Sequence, residues 1–366
     1  MEKDFVKLMD SDIRALVRNA LRIAPRYPRY LGAFARLALY QRRAAAAREA
    51  HRAAGISVPA FMIISVTRKC NLRCRGCYSH VAATLESAAA RPAELDGAAF
   101  SRVVAEASAL GVSFALLAGG EPLTRAEEIF SLARHNPNMI FPVFTNGTLI
   151  DDAAIAAFRK NRNLIPVISL EGGLSHTDGR RGNGVYGRAE AALARLHKAG
   201  VFFGLSFTVT RENAAELTSP DFILGLNRAG AGVFFYNEYT PIAAGTEGLC
   251  LDERGRGKLL ADIQSLRSLA RALFLAFPGE EDRYGGCLSA GRGFVHVAPD
   301  GKLEACPFAP FGDTSARELS LREALASPTL QAIREHHAEL AETAGGCALW
   351  DQREWVEGLV AAQAER

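Results

Sequence analysis

Apolar and polar positions divide the chain into three textures. In the first, Leu16, Leu21, Leu31, Phe34, Leu37 and Leu39 are interleaved at helical spacing with Arg14, Arg18, Arg22, Arg29, Arg36, Arg42 and Arg43. A break falls between Pro25 and Pro28, so residues 1–57 read as an extension of basic amphipathic helices. From residue 58 short apolar runs take over, at 61–66, 114–117, 140–144, 165–170, 202–209 and 233–236, with helical stretches near 98–110, 125–134, 152–160, 186–199 and 213–228. Continuously apolar strands alternating with helices predict parallel strands buried on both faces. Six such units over residues 58–275 predict an α/β fold, either an open sheet or a partial (β/α)6 barrel of TIM-like kind. The third texture follows a Pro/Gly/acidic stretch near 276–283. A hairpin is expected at 294–297 and 303–305 around Pro299-Asp300-Gly301, then helical segments at 315–326 and 330–342, making 276–366 a small α+β domain.

Composition narrows the picture only a little. Of 366 residues 49% are hydrophobic and 23% charged, which excludes a disordered chain, and no apolar run reaches the length of a membrane span. The net charge is +3, yet residues 1–60 carry 12 Lys/Arg against 5 Asp/Glu, a local +7 that leaves −4 for the remainder. A basic helical face suits either peripheral contact with anionic lipid or an apolar stripe packed on the main body with its arginines solvated. Nucleic acid is not expected, because no recognised reading motif accompanies the arginines. The start MEKDFVKLMD lacks the basic-then-apolar order of a secretory signal. Seven clustered cysteines in such a chain predict reduced thiols, metal ligation and a cytoplasmic location.

Chemistry concentrates after the strands, in TRKC, AGGEP, TNG and EGG, where α/β folds gather ligands. Cys70, Cys74 and Cys77 form C-x3-C-x2-C just past the first strand. Three thiolates on one loop suit a soft metal, with His80 able to complete a zinc site, or a [4Fe–4S] cluster whose fourth iron takes another ligand. The stretch CNLRCRGCYSH over 70–80 resembles the radical S-adenosylmethionine (SAM) enzymes. The resemblance implies a [4Fe–4S] cluster on Cys70, Cys74 and Cys77 whose open iron binds the amino and carboxylate groups of SAM. Reductive cleavage of SAM then yields a 5′-deoxyadenosyl radical that abstracts hydrogen from substrate, with a flavodoxin or ferredoxin as electron donor. It also assigns Gly119, Gly120, Glu121 and Pro122 to the loop facing the SAM amino group, and Asn146 to the same mouth. Ser169, Glu171, Arg181, Ser206, Thr208 and Asn213 match family positions around the SAM carboxylate, ribose and methionine. One departure stands out: the residue before the third cysteine, often aromatic in the family and helping to seat adenine, is Gly76. Tyr78 is the stacking candidate in its place.

Further on, Cys287, Gly301 and Cys306 form C-x13-G-x4-C, which resembles the opening of the SPASM and shorter twitch domains of radical SAM enzymes. Cys347 follows, but the usual C-x2-C pair reads Cys347-Ala348-Leu349-Trp350. The resemblance therefore implies one auxiliary [4Fe–4S] cluster on Cys287, Cys306 and Cys347, its fourth iron open or capped by Cys250 or Asp351, with Trp350 beside it as a cavity wall. Such a cluster would anchor substrate or relay an electron. Past the sixth strand, Tyr236, Asn237, Glu238 and Tyr239 face the substrate side of a barrel, and Tyr284 and His296 could reach it. Glu238 is the preferred acid–base group and Tyr236 its companion. The substrate is expected to be a small metabolite, a lipid-like molecule or, in a maturase, a peptide or protein. A non-catalytic iron–sulfur scaffold would have no use for the SAM loops.

Overall fold

The computed structural model describes residues 2–85, 92–279, 281–340 and 347–364. Six parallel strands carry the core: β1 (Phe61–Thr67), β2 (Phe114–Gly119), β3 (Phe141–Thr145), β4 (Leu164–Leu170), β5 (Phe203–Val209) and β6 (Ala231–Glu238). Helices between them lie on one face, as the alternating pattern requires. The sheet is larger than six strands, because β7 (Leu273–Phe277) pairs in parallel with β6.

On the other flank, β8 (Phe294–Val297) runs parallel to β1, with Ile63 opposite His296. It turns through Gly301 into β9 (Lys302–Glu304), and β10 (Thr314–Ser315) completes the edge. The expected hairpin is present, but it extends the barrel sheet and has no sheet of its own. Pairing removes the exposed ladder that β1 would otherwise present. Beyond it lie a short turn of helix, Leu321–Ala324, and the helix Pro328–Glu335. Part of the segment read as helical over 330–342 falls outside the described residues.

Strand alternation sorts the side chains into two cores. Met62, Ile64, Leu117, Val143, Leu205, Phe207 and Phe234 face the outer helices. Phe114, Leu116, Ile165, Val167, Val233 and Phe235 point inward, and there they meet the N-terminal extension. That extension is α1 (Glu2–Ile23), two short 3-10 turns set by Pro25 and Pro28, and α2 (Leu31–Ala53). Ile13, Val17, Ala20 and Ile23 from α1 join Tyr30, Phe34 and Leu37 in the inner core. Phe202 is gripped by Tyr27, Tyr30 and Phe34, with ring centroids 4.8, 5.8 and 5.4 Å away. Arg48 fixes the helices to each other and to the barrel through Asp10 at 3.0 Å and the Gly111 carbonyl at 2.7 Å. Of the expected stripe, Leu16, Phe34 and Leu37 are thus spent on the barrel, while Leu21, Leu31 and Leu39 are exposed. Among the described residues no helix is long and apolar enough to cross a membrane.

Truncating Phe202 to Ala should destabilise the protein by about 3–5 kcal/mol, the usual cost of emptying a buried aromatic site. Urea denaturation reads this directly, and a loss below about 1 kcal/mol would mean that the extension is not docked in solution.

Candidate active site

One cavity of about 1270 Å³ is lined by both cysteine sets, Cys70, Cys74 and Cys77 on one side and Cys287, Cys306 and Cys347 on the other. Its walls come from the ends of the core strands, from α1 through Asp12, Leu16, Asn19 and Arg22, and from the segment after β7. The geometry of β8 and β9 sets the spacing. Cys70 lies just past the end of β1, whereas β9 runs back and leaves Cys306 near the level of Phe61. The two sets thus come from opposite ends of that strand pair, and Tyr78 reaches from the first toward the second, its ring 5.3 Å from that of Phe308.

The cysteine loop is fixed by backbone contacts that need glycine. Gly120 N–H donates to the Thr67 carbonyl and Glu121 N–H to the Lys69 carbonyl, both at 2.7 Å. A Cβ on Gly120 would run into the Lys69 carbonyl, and Gly119, at φ +110°, lies against Thr67 and Ser65 in the same way. The glycine pair therefore seats the cysteine loop as well as lining the cavity. Asn146 adds a hydrogen bond from its amide to Asn71 at 2.8 Å, and the Arg75 N–H donates to the Arg180 carbonyl at 2.9 Å.

Glu121 is buried, and its carboxylate accepts from Thr145 Oγ1 at 2.7 Å, Asn146 N–H at 2.8 Å and Leu123 N–H at 3.0 Å. Burial raises its pKa, and these three donors work against that rise. It clamps β2 to β3 beside the cysteines. Glu171 draws both Arg180 and Arg181 onto one oxygen, at 2.7 and 2.5 Å, while its other oxygen is buried with no partner among the described residues. Burial alone would lower Arg181, but Glu171, Cys74 and Cys77 together leave it raised and fully cationic. Two guanidiniums on one carboxylate leave a net positive charge facing the thiols, suited to an anionic ligand group.

Ser169, Ser206 and Thr208 line the cavity beside them, with Asn237 donating to Ser206 Oγ at 2.9 Å. Four expected residues do not line it. Pro122 is buried at the start of a 3-10 turn, and Glu171 acts through its arginines. Asn213 donates to the Glu171 and Thr208 carbonyls, both at 3.0 Å, and accepts from Thr210 N–H, so it is spent on bracing β4 and β5. Tyr236 is a correction. Its position on β6 points it at the outer helices, where it stacks among Phe207 and Phe274 and donates to the Leu217 carbonyl at 3.0 Å. Glu238, two residues on, does line the cavity, paired to Arg256 at 2.9 Å through one oxygen and, among the described residues, unpartnered at the other. Burial raises its carboxyl, opposed by Arg256.

At the second cysteine set the three thiols are close enough to perturb one another. Burial pushes Cys287 far up, and the neighbouring thiols Cys306 and Cys347 move each other apart, Cys306 up and Cys347 down. Buried Glu281 lines the cavity beside Cys287 and also raises it. Three expectations change here. The Cys250 thiol turns to the Tyr239 carbonyl at 3.7 Å and Cys250 does not line the cavity. Trp350 is not a wall either, since it lies under Arg353 at 5.2 Å. His296 is held beneath the cavity by Ser65 at 2.8 Å and Glu304 at 2.7 Å. Tyr284 does line the cavity and donates to Asp12.

The donor chemistry fits iron–sulfur clusters. Each set presents three soft thiols and no fourth, which leaves one position for another ligand. His80 aims Nε2 at the Leu72 carbonyl at 3.2 Å, and among the described residues no group of three His, Cys, Asp or Glu is closed enough to hold a single metal ion. A cluster spreads its thiolates more widely than one ion does. Sequence reasoning missed Arg180, Glu281 and the polar residues of α1. Only the spacing of Asp12, Asn19 and Arg22 along one helical face hinted at the last.

Residues 64–218 match the Radical SAM superfamily. The chain carries a radical SAM domain. Beyond that domain the likeness is one of fold, an α/β architecture that runs on into the C-terminal region. Over 216 residues it is 28% identical to the pre-heme d1 synthase of Dinoroseobacter shibae, a match covering 58% of this chain and about half, 51%, of that protein. It is also 28% identical to the PqqA peptide cyclase of Gluconobacter oxydans over 271 residues, 68% of this chain and 70% of the cyclase. In fold it is similar to Streptococcus suis SuiB bound to S-adenosylmethionine, with a TM-score of 0.62, 17% identity, and 84% of this chain and 73% of SuiB covered. SuiB has also been solved with its precursor peptide SuiA.

Replacing Gly120 with Ala should force the Lys69 backbone aside and cost about 1–3 kcal/mol, as overpacking does. A thermal melt of the variant, set against one of the exposed Gly179→Ala, measures it. Equal melting would show that the cysteine loop is not seated on the glycine pair.

Proposed function

We propose that the chain is a peptide-modifying radical SAM enzyme whose core cluster sits on Cys70, Cys74 and Cys77 and whose auxiliary cluster sits on Cys287, Cys306 and Cys347 within residues 276–366. The observation that carries this reading is the single cavity walled by both thiol sets. At about 1270 Å³ it is larger than the ordinary ligand pocket, so a cofactor and part of a substrate fit together. When bound, the core cluster and SAM supply a one-electron cleavage of SAM and removal of a hydrogen atom from substrate. The protein's own contribution is position. Arg181, held by Glu171, offers the cation for the SAM carboxylate, with Ser169, Ser206 and Thr208 beside it. The glycine pair and Asn146 hold the cysteine loop in place.

Glu238 takes or gives the substrate proton, because one carboxylate oxygen is unpartnered and the other is anchored to Arg256. Cys287, Cys306 and Cys347 would hold the auxiliary cluster across the cavity, where it would offer an anchor for substrate or an acceptor for the second electron. A flavodoxin or ferredoxin supplies the first, which together with the reduced thiols suits a cytoplasmic location. Similarity to a PqqA peptide cyclase over most of both chains favours a peptide. A carboxylate-bearing tetrapyrrole is the second reading, favoured by the similarity to pre-heme d1 synthase and by Arg22, Arg267, Arg271 and Arg283 along the cavity.

Anaerobically reconstituted protein should hold about eight irons, four per cluster. With dithionite and SAM it should release 5′-deoxyadenosine. The Cys70/Cys74/Cys77 triple Ala variant should keep about four irons and release none. Stoichiometric zinc without iron would overturn the assignment, and an iron-free triple variant would remove the auxiliary cluster from it. Peptides encoded beside its gene should stimulate 5′-deoxyadenosine release and lose mass in units of hydrogen, whereas a response to tetrapyrroles alone would decide for the second reading.

A base must be ionised to act, so with Glu238 raised by burial the substrate-dependent rate should climb with pH through a value above the ordinary carboxylate range. Glu238→Gln should lower that rate by at least about tenfold and flatten the acid limb while SAM cleavage without substrate persists. An unchanged pH profile would exclude Glu238.

A further inference from the structure

The end of the barrel away from the cysteine loop carries charge of one sign. The core strands run parallel, so their leading ends lie together, opposite the rim that holds Cys70. The chain enters β3 to β7 at that end through residues 134–140, 159–163, 198–202, 228–230 and 270–272, which contain seven Lys/Arg and no Asp/Glu. The N-terminal extension closes the same end. Arg26 donates to Asn227 at 2.7 Å, the Tyr27 hydroxyl to the Gly230 carbonyl at 3.1 Å, and Arg29 to the Ala199 carbonyl at 3.4 Å. Between Ile13 and Arg48 the extension holds nine arginines and no acid, and among the described residues only Arg48 meets a carboxylate.

Two features set this end apart from an ordinary solvated surface. The first is the outward side of α2. Phe34 and Leu37 face the inner core, which turns Leu31, Ala35, Arg36, Leu39, Arg42 and Arg43 away from it, all exposed. Leu39 is 68% exposed and Leu31 46%. A solvent-facing helix side is normally polar, whereas from Leu31 to Ala46 the exposed positions are leucine, arginine, alanine and glycine alone.

The second is a recess of about 380 Å³ beside the start of α2, lined by Arg29, Tyr30, Arg159, Lys160 and Arg162 and by no carboxylate. Arg159 and Lys160 end the helix Asp152–Lys160, and Arg162 lies between that helix and β4. The Tyr30 hydroxyl is buried with no hydrogen-bond partner among the described residues. Burial raises its pKa, with Arg162 and Arg29 among the groups that oppose the rise.

We propose that this end of the molecule rests on a membrane containing anionic phospholipid, with Leu31 and Leu39 at the level of the headgroups and the recess seating a lipid phosphate. Guanidiniums bind phosphate oxygens in pairs, so arginine suits a surface of phosphates. The leucines decide between polyanions. A nucleic acid is held by cations together with polar or stacking groups and gains nothing from exposed leucine, and Tyr30 is buried here. A helix lying in the headgroup plane uses both, arginine on the lipid phosphates and leucine below them. Contact at this end leaves the cysteine loop free, so lipid binding and chemistry are separable.

Flotation of the reconstituted full-length protein with vesicles tests this. It should float with mixed phosphatidylglycerol and phosphatidylcholine, stay behind with phosphatidylcholine alone, and be released by added salt. Arg159→Gln, Lys160→Gln and Arg162→Gln together should weaken binding at least about tenfold. Leu31→Gln with Leu39→Gln should also weaken it about tenfold, at unchanged net charge. Both variants alter exposed positions, so melting temperature, iron content and 5′-deoxyadenosine release in solution should match wild type.

Equal flotation on neutral and anionic vesicles, or a double-leucine variant that floats as wild type does, would overturn the proposal. Binding to duplex DNA without flotation would overturn it in favour of nucleic acid. Binding of glycerol 3-phosphate without flotation would overturn it in favour of a soluble phosphate ligand.

Discussion

The structure depends on what flanks β1. This strand leads straight into the Cys70 loop, and it is hydrogen-bonded to β2 on one side and to β8 on the other. The first neighbour brings the glycine pair that seats the cysteine loop, and the second brings the hairpin that leads to Cys306. One ladder of backbone hydrogen bonds therefore fixes both thiol sets relative to each other. The Ser65–His296–Glu304 chain, fully buried, locks the same junction with side chains. Tyr78 stands above it, edge-on to Phe308 at 5.3 Å, so the residue after Cys77 touches the segment after Cys306. Separate domains joined by a linker could not hold the two sets at one spacing.

A partial barrel has an open side and an apolar interior, and both must be covered. Here the N-terminal extension serves that purpose. Its apolar stripe enters the inner core against Phe114, Val167, Phe202 and Phe235, while Asp12, Asn19 and Arg22 reach the cavity. Hydrophobic burial explains the docking: Ile13, Val17, Ile23, Phe34 and Leu37 are consumed by the barrel, while Leu21, Leu31 and Leu39 stay exposed.

Electrostatics in the cavity are arranged in pairs that leave something over. Glu171 holds two arginines and Glu238 holds one, each with an oxygen to spare, and Tyr239 has an unmet hydroxyl. Buried polar groups are ordinarily satisfied, and these three remainders lie at or just behind the cavity wall, while others at Tyr30, Gln41 and Thr329 lie away from it. The braced residues Glu121 and Asn213 show the contrast. Every strong acceptor they offer is met by the protein, and they brace the site, Glu121 from within its lining and Asn213 from outside it.

The order of chemistry along the chain was legible from sequence. Short apolar strands buried on both faces, each followed by polar or glycine-rich residues, can fold only with those residues at one rim, and cysteine spacing is a local property of a loop. Tyr236 was misplaced for a related reason. The strand was read as ending at 236, whereas it runs on to Glu238, so Tyr236 lies within it, against the outer helices, and short of the rim. What sequence could not contain is pairing between distant segments. That β8 lies on β1, that α1 enters the barrel, that Cys250 turns to a carbonyl, and that Tyr239 fills the space over Gly76 are all set by contacts across long sequence separations. Their energies come from packing and burial in the folded state, and no local pattern of residues records them.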